Sequence, residues 1–120
     1  MQKCIAVIIV AQLLGAWAPI ADAESKTVTG EVVSLSCYFS NKKNVGKAGL
    51  LCALATVKYE GNPVGIVAAD GSVYQLEGGL TANNNAKSVP LLSHTVTVTG
   101  DVTEKAGMMM LKADDATIVQ

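Results

Sequence analysis

The side chains with the most reactive chemistry in this chain are sulfur and imidazole: Cys37, Cys52, His94 and the run Met108 to Met110. Thiolate and thioether sulfur favour soft ions such as Cu(I). Cys37, Cys52, His94, Met108 and Met110 are therefore a conceivable metal set. Strand alternation would place Met108 and Met110 on one face and Met109 on the other. Nothing in the spacing gathers these groups, and methionines also fill irregular cores, so the expectation is no metal and no cofactor. His94 is the only histidine. A general base needs a nucleophile and an orienting group in reach, and no motif supplies either. No phosphate-binding loop or dinucleotide fingerprint is present, and Asp114-Asp115 lacks calcium-loop spacing. Those two acids read as solvated groups or as an edge that discourages strand pairing. The sequence reads as a non-enzyme.

The fate of the cysteines depends on where the chain is sent. Lys3, the apolar run from Ile5 to Trp17 and the small residues of Ala21-Asp22-Ala23 form a secretory leader, with cleavage expected between Ala23 and Glu24. The run is short for a membrane span, which needs about 20 apolar residues, and Pro19 and Asp22 close it. The organisation expected is a cleaved signal peptide over 1–23 and a single β-rich domain over 24–120. Its place is the periplasm or the medium, with no membrane attachment after cleavage. Cys4 leaves with the leader. Cys37 and Cys52 then form an even pair in an oxidising compartment, where a disulfide is the default. A bridge closing a loop of this size contributes on the order of 3 kcal/mol. The chain has no arginine, a formal charge of −1, three tyrosines and one phenylalanine. Nucleic-acid binders need a basic face and stacking aromatics, so that class is excluded.

The elements that must position these residues are mostly strands. Thr27 to Leu35 alternates, with Val28, Gly30 and Val32 on one side, and its phase slips at Val33 and Leu35 as at a bulge. Asn41 to Lys47 is a polar loop. Ala48 to Tyr59 is the one helix expected, with Leu50, Ala53, Leu54 and Val57 on a shared face and Cys52 opposite them. Val64 to Ala69 and Ser72 to Glu77 flank Asp70-Gly71, which reads as a two-residue primed hairpin turn. Gly78 to Ser88 is a polar loop centred on Asn83-Asn84-Asn85. Thr95 to Thr103 alternates again, and Met108 to Val119 is a last strand broken near Asp114-Asp115. Thr27-Val28-Thr29-Gly30-Glu31-Val32 is echoed by Thr97-Val98-Thr99-Gly100-Asp101-Val102. A glycine inside an alternating strand suits a bend in a barrel. The fold class expected is mainly β: a small OB-like barrel of about five strands with one helix after the first strand. The alternative is an open α+β sandwich.

At Cys37-Tyr38, Cys52-Ala53, Gly61-Asn62-Pro63-Val64-Gly65, Asp70-Gly71-Ser72-Val73-Tyr74 and Val96-Thr97-Val98-Thr99-Gly100 the chain resembles a group of small exported bacterial proteins of uncharacterised function. Their pattern is a strand ending in Cys, a His-x-x-Cys-Ala-x-x-Cys helix, a Gly-x-Pro-x-Gly segment, a hairpin and a closing Val-x-Val-x-Gly strand. The resemblance implies an OB-like barrel with one inserted helix. The family's helical residues look like a metal or redox cluster on one helix face. Here that face carries Gly49, Cys52 and Thr56, so the histidine and the second helical cysteine are missing.

Together these features point to a non-catalytic exported module, stapled by Cys37–Cys52, that serves as a structural part or binds an unknown protein or small-molecule ligand. The alternative is a periplasmic metal-binding or redox protein that uses Cys37 and Cys52.

Overall fold

The computed structural model describes residues 23–119. Apart from Ala23, the leader expected over 1–23 lies outside the described residues. Strand β1 (Glu24–Ser34) is followed by two helical elements. These are α1 (Leu35–Ser40) and α2 (Gly46–Ala53), and α2 continues into a π-helical turn, Leu54–Tyr59. A hairpin of β2 (Val64–Ala68) and β3 (Val73–Glu77) comes next. A connector with two short 3₁₀ turns, Gly78–Thr81 and Val89–Leu91, then leads to β4 (Thr95–Lys105), β5 (Met108–Lys112) and the short β6 (Thr117–Ile118).

The strands run β1-β2-β3-β5-β4, and β4 pairs back onto β1, so the sheet closes on itself. All ladders are antiparallel except β3–β5. This is the expected small OB-like barrel, mainly β, and the open sandwich is excluded. The repeated Thr/Val segment pairs with its own echo: Thr27 lies opposite Thr99, Val28 opposite Val98 and Thr29 opposite Thr97. Valines 28, 96 and 98 point into the core. The threonines bond across the outer face, Thr27–Thr99 at 2.8 Å and Thr29–Thr97 at 3.0 Å.

The two glycines of the echo sit where strands change partners. Gly30 is the residue at which β1 gains β2 as a second neighbour, and a Cβ there would lie 2.4 Å from the Val67 carbonyl oxygen. Gly100 stands just before β4 takes up β5, and a Cβ there would lie 2.2 Å from the Lys112 carbonyl oxygen. Only a residue without a side chain permits such close backbone approach.

Three local expectations are corrected. The phase slip after Val33 is the start of a helix, not a bulge. Ser34 ends the strand, caps α1 by accepting from the Cys37 N–H, and turns the chain. The segment after β1 thus holds α1 as well as α2, where one helix was expected. Asp70-Gly71 is not a primed turn, because only Gly71 has positive φ there. The Gly71 N–H donates to the Ala68 carbonyl, and Ala69-Asp70-Gly71 forms a three-residue loop ending in a left-handed glycine. The primed two-residue turn lies instead at Ala106-Gly107, between the paired Lys105 and Met108, with φ of 53° and 80°.

Two apolar clusters result. The main one fills the barrel with Ile66, Leu111 and the inward valines, and Ala53 and Val57 of the helix pack onto it. The second lies on the outer face. There Leu35 and Tyr38 of α1 cover Val33 and pack with Val67, Val73 and Met108.

Candidate functional site

Cys37 and Cys52 are bonded to each other, 15 residues apart, and link α1 to α2. Cys37 is buried on α1, and Cys52 is half-buried on the α2 side that meets α1. A cysteine opposite the leucines needed a partner, and α1 supplies it. Both sulfurs are thus committed, and the thiolates that a metal would require are not free in this state.

A chain of hydroxyls surrounds the bridge. Ser34 Oγ lies 3.1 Å from Ser36 Oγ and 2.7 Å from Thr56 Oγ1. Thr56 donates to the Cys52 carbonyl at 2.9 Å. Asn62 Nδ2 donates to Ser36 Oγ at 3.4 Å. These distances support one direction of donation, from Asn62 through Ser36 and Ser34 to Thr56 and onto a backbone carbonyl. The last proton ends on an amide oxygen, not on an imidazole or carboxylate, so no hydroxyl is activated for attack. The network is a tether between β1 and α2.

The helix face of Gly49, Cys52 and Thr56 is consumed by the same packing. A Cβ on Gly49 would lie 2.4 Å from the Asn44 backbone, so the loop before α2 occupies the space a side chain would take. The helix start is held at its other side by Glu31, whose carboxylate accepts from the Gly46 N–H, where negative charge suits the helix dipole. Ser93 Oγ adds a bond to the Gly46 carbonyl at 2.8 Å.

The other sulfur and nitrogen candidates are dispersed. His94 has an exposed side chain, and its backbone carbonyl accepts from Val32. Met108 packs in the outer cluster, Met109 turns to the barrel core, and Met110, opposite Thr103 and Gln75, shares the outer face with Met108. Among the described residues no three His, Cys, Asp or Glu side chains form a metal-holding group. The acid pair has a structural role that sequence reading missed. Asp114 Oδ1 accepts from the Gly79 N–H at 3.0 Å, and Asp115 pairs with Lys87 at 3.0 Å. Both tie the β3–β4 connector to the segment between β5 and β6.

That connector contains the least ordinary backbone. Asn83, Asn84 and Asn85 have successive φ values of 55°, 57° and 62°, a left-handed run that L-residues avoid and asparagine tolerates best. Asn85 explains its own place: it is buried, and its amide donates to the Val57 and Asn62 carbonyls at 3.4 and 3.3 Å. Asn84 donates to the Lys58 carbonyl at 3.4 Å. The run caps the end of the π-helical turn from outside and satisfies carbonyls that the helix leaves open.

Beside this cap lies a groove of about 380 Å³, lined by Lys58, Tyr59, Asn83, Asn84, Val89 and Pro90. Tyr59 is 76% exposed, whereas Tyr38 and Tyr74 are 9% and 8% exposed. Lys58 Nζ lies 5.4 Å from the Tyr59 ring centre. Tyr59 was not singled out in the sequence, although it sits at the helix end and off the Leu50–Ala53–Leu54–Val57 face, which is the available signal.

No family model, curated protein or solved structure matches the chain. Fold and site define a closed, mixed five-stranded barrel of the OB-like class, with a disulfide-bridged helical insertion and an open groove on the β3–β4 connector.

Proposed function

We propose that the mature domain is an exported, non-catalytic binding module whose barrel serves as a rigid frame for the connector groove. The observation that supports this reading is the place of Tyr59: of the exposed large apolar side chains, Phe39, Leu51, Tyr59, Ile118 and Val119, it is the one that lines the groove. The apolar part of the outer sheet face, around Val33, Val67, Val73 and Met108, is covered by the chain's own α1, and the hydroxyls around the bridge are spent on internal bonds. Tyr59 stands open on a groove with apolar walls and a few amides, which is the ordinary composition of a ligand site.

The test is the state of protein purified natively from an exporting cell. Expected are an intact mass for residues 24–120 with an oxidised Cys37–Cys52 pair, no free thiol and no stoichiometric metal. Two free thiols with bound copper, zinc or iron would overturn the proposal and make Cys37 and Cys52 the site.

A further inference from the structure

We infer that the Tyr59 groove is a saccharide subsite, taking the apolar face of a pyranose ring against the tyrosine and its hydroxyl edge against the asparagine amides. The inference rests on the proposal that this domain is a binding module, and it adds the class of ligand. Four features carry it.

The first is the ring itself. A tyrosine 76% exposed offers a flat apolar face and a polar tip, which suits a ligand that is apolar on one face and polar at its rim. The second is Asn83. Asn84 and Asn85 use their amides to cap the helix end, which accounts for their left-handed backbone. Asn83 shares that backbone at φ 55°, yet among the described residues its amide bonds to nothing. Glycine would adopt the same φ at lower steric cost. What asparagine adds is a carboxamide on the groove rim, a donor and an acceptor side by side that can meet neighbouring hydroxyls.

The third feature is charge. The lining contains one lysine and no carboxylate, so it favours neutral or anionic ligands over cationic ones. The fourth is size. At about 380 Å³ the groove falls at the small end of the ~300–1,000 Å³ range of ligand sites, suited to the end of a glycan chain. A peptide strand is the less favoured occupant, because recognition of extended proline-rich segments uses grooves lined by several aromatics and Tyr59 is the only aromatic here.

The probes are N-acetylglucosamine oligomers, β-1,4-glucose oligomers and a proline-rich peptide, titrated into mature, oxidised protein. The readout is amide chemical shifts, with tyrosine fluorescence as a second signal, since Trp17 leaves with the leader and Tyr59 is the one exposed tyrosine. Expected are saturable shifts at Lys58–Gly61 and Asn83–Leu91 with a saccharide and none with the peptide. Tyr59→Ala should weaken binding by about tenfold, the scale of one aromatic stacking contact. Asn83→Gly should weaken it several-fold while leaving the melting temperature unchanged or higher, which separates the amide from the backbone. Saccharide shifts that map elsewhere, shifts with the peptide alone, no shifts at all, or wild-type affinity in both variants would overturn the inference. Thiol and metal counts on the same sample judge the binding-module proposal separately: bridged, metal-free protein that ignores every sugar sinks the subsite and leaves that proposal standing.

Discussion

The barrel and the helical insertion between β1 and β2 are held together by different physics. In the barrel, continuous ladders pair the backbone, and inward side chains such as Ile66 and Leu111 are fully buried. Its order follows from alternation and from glycines that let strands cross closely. The insertion packs α2 onto the core through Ala53 and Val57, but its α1 shares only the small outer cluster of Leu35, Tyr38 and Val33. What fixes the insertion is covalent and polar: the Cys37–Cys52 bond joins α1 to α2, and from β1 Ser34 holds Thr56 and Glu31 holds Gly46. The bridge lies wholly inside the insertion and cross-links no two strands of the barrel. A small domain whose core cannot secure every segment places its disulfide where packing is thinnest.

Ile66→Ala removes a side chain that is 0% exposed and should lower the unfolding free energy by about 2–5 kcal/mol, measured by urea denaturation. A loss below ~1 kcal/mol would mean that the barrel interior is not the cooperative centre.

Replacing both Cys37 and Cys52 with serine should lower stability by about 2–4 kcal/mol, but the loss should be local in its first stage. Hydrogen exchange is expected to rise over residues 35–60 while the amides of the β1–β4 ladder stay protected. Uniform loss of protection would show that insertion and barrel unfold as one unit. A double mutant that melts with the wild type would remove the staple altogether.

The connector, unlike the insertion, holds its position without a covalent link. Asn85→Ala deletes a buried amide that satisfies two carbonyls and leaves an alanine at φ 62°. About 1–3 kcal/mol should be lost, and Asn85→Gly should cost less by relieving the backbone. Equal effects in thermal melts would mean that the lost amide, not the left-handed turn, sets the cost.

The smallest effect belongs to the β2–β3 loop. Hydrogen bonding from the Ser72 N–H, and secondarily from its hydroxyl, holds the Asp70 carboxyl below its ordinary value of 3.8. A lowered folded pKa makes the charged form stabilising. Its contribution is present above that ordinary value and fades as pH falls through the lower folded one. The difference in melting temperature between wild type and Asp70→Asn should therefore shrink on acidification below the ordinary carboxylate range. A difference constant with pH would refute the bond's role.

Much of the barrel was legible because strand alternation is a local property. Val28, Val96 and Val98 announce the inward face, Thr27 and Thr99 the outward one, and Gly30 and Gly100 the places where strands must cross. The covalent pairing was legible too, since Cys37 and Cys52 are the two cysteines of the expected mature chain. Turn geometry was read less well. Asp70-Gly71 looked like a primed turn, but the turn type follows from the register of the flanking strands, and that register gave the primed geometry to Ala106-Gly107. The groove was invisible for a similar reason. Tyr59 and Asn83 are far apart in sequence, and each looked like an ordinary surface residue.

The sequence by itself determined the period of the strands, the positions that need glycine, the pairing of two cysteines and the absence of a basic, aromatic face. These depend on residue type and near-neighbour spacing alone. Only the tertiary structure decided that α1 covers an apolar patch of the outer sheet face, that Ser34 meets Thr56, that Asp114 holds Gly79, and that an asparagine run caps a helix and borders an open tyrosine. Each is a contact between segments brought together by barrel closure. No local pattern encodes such a contact until the ladders fix where every segment lies.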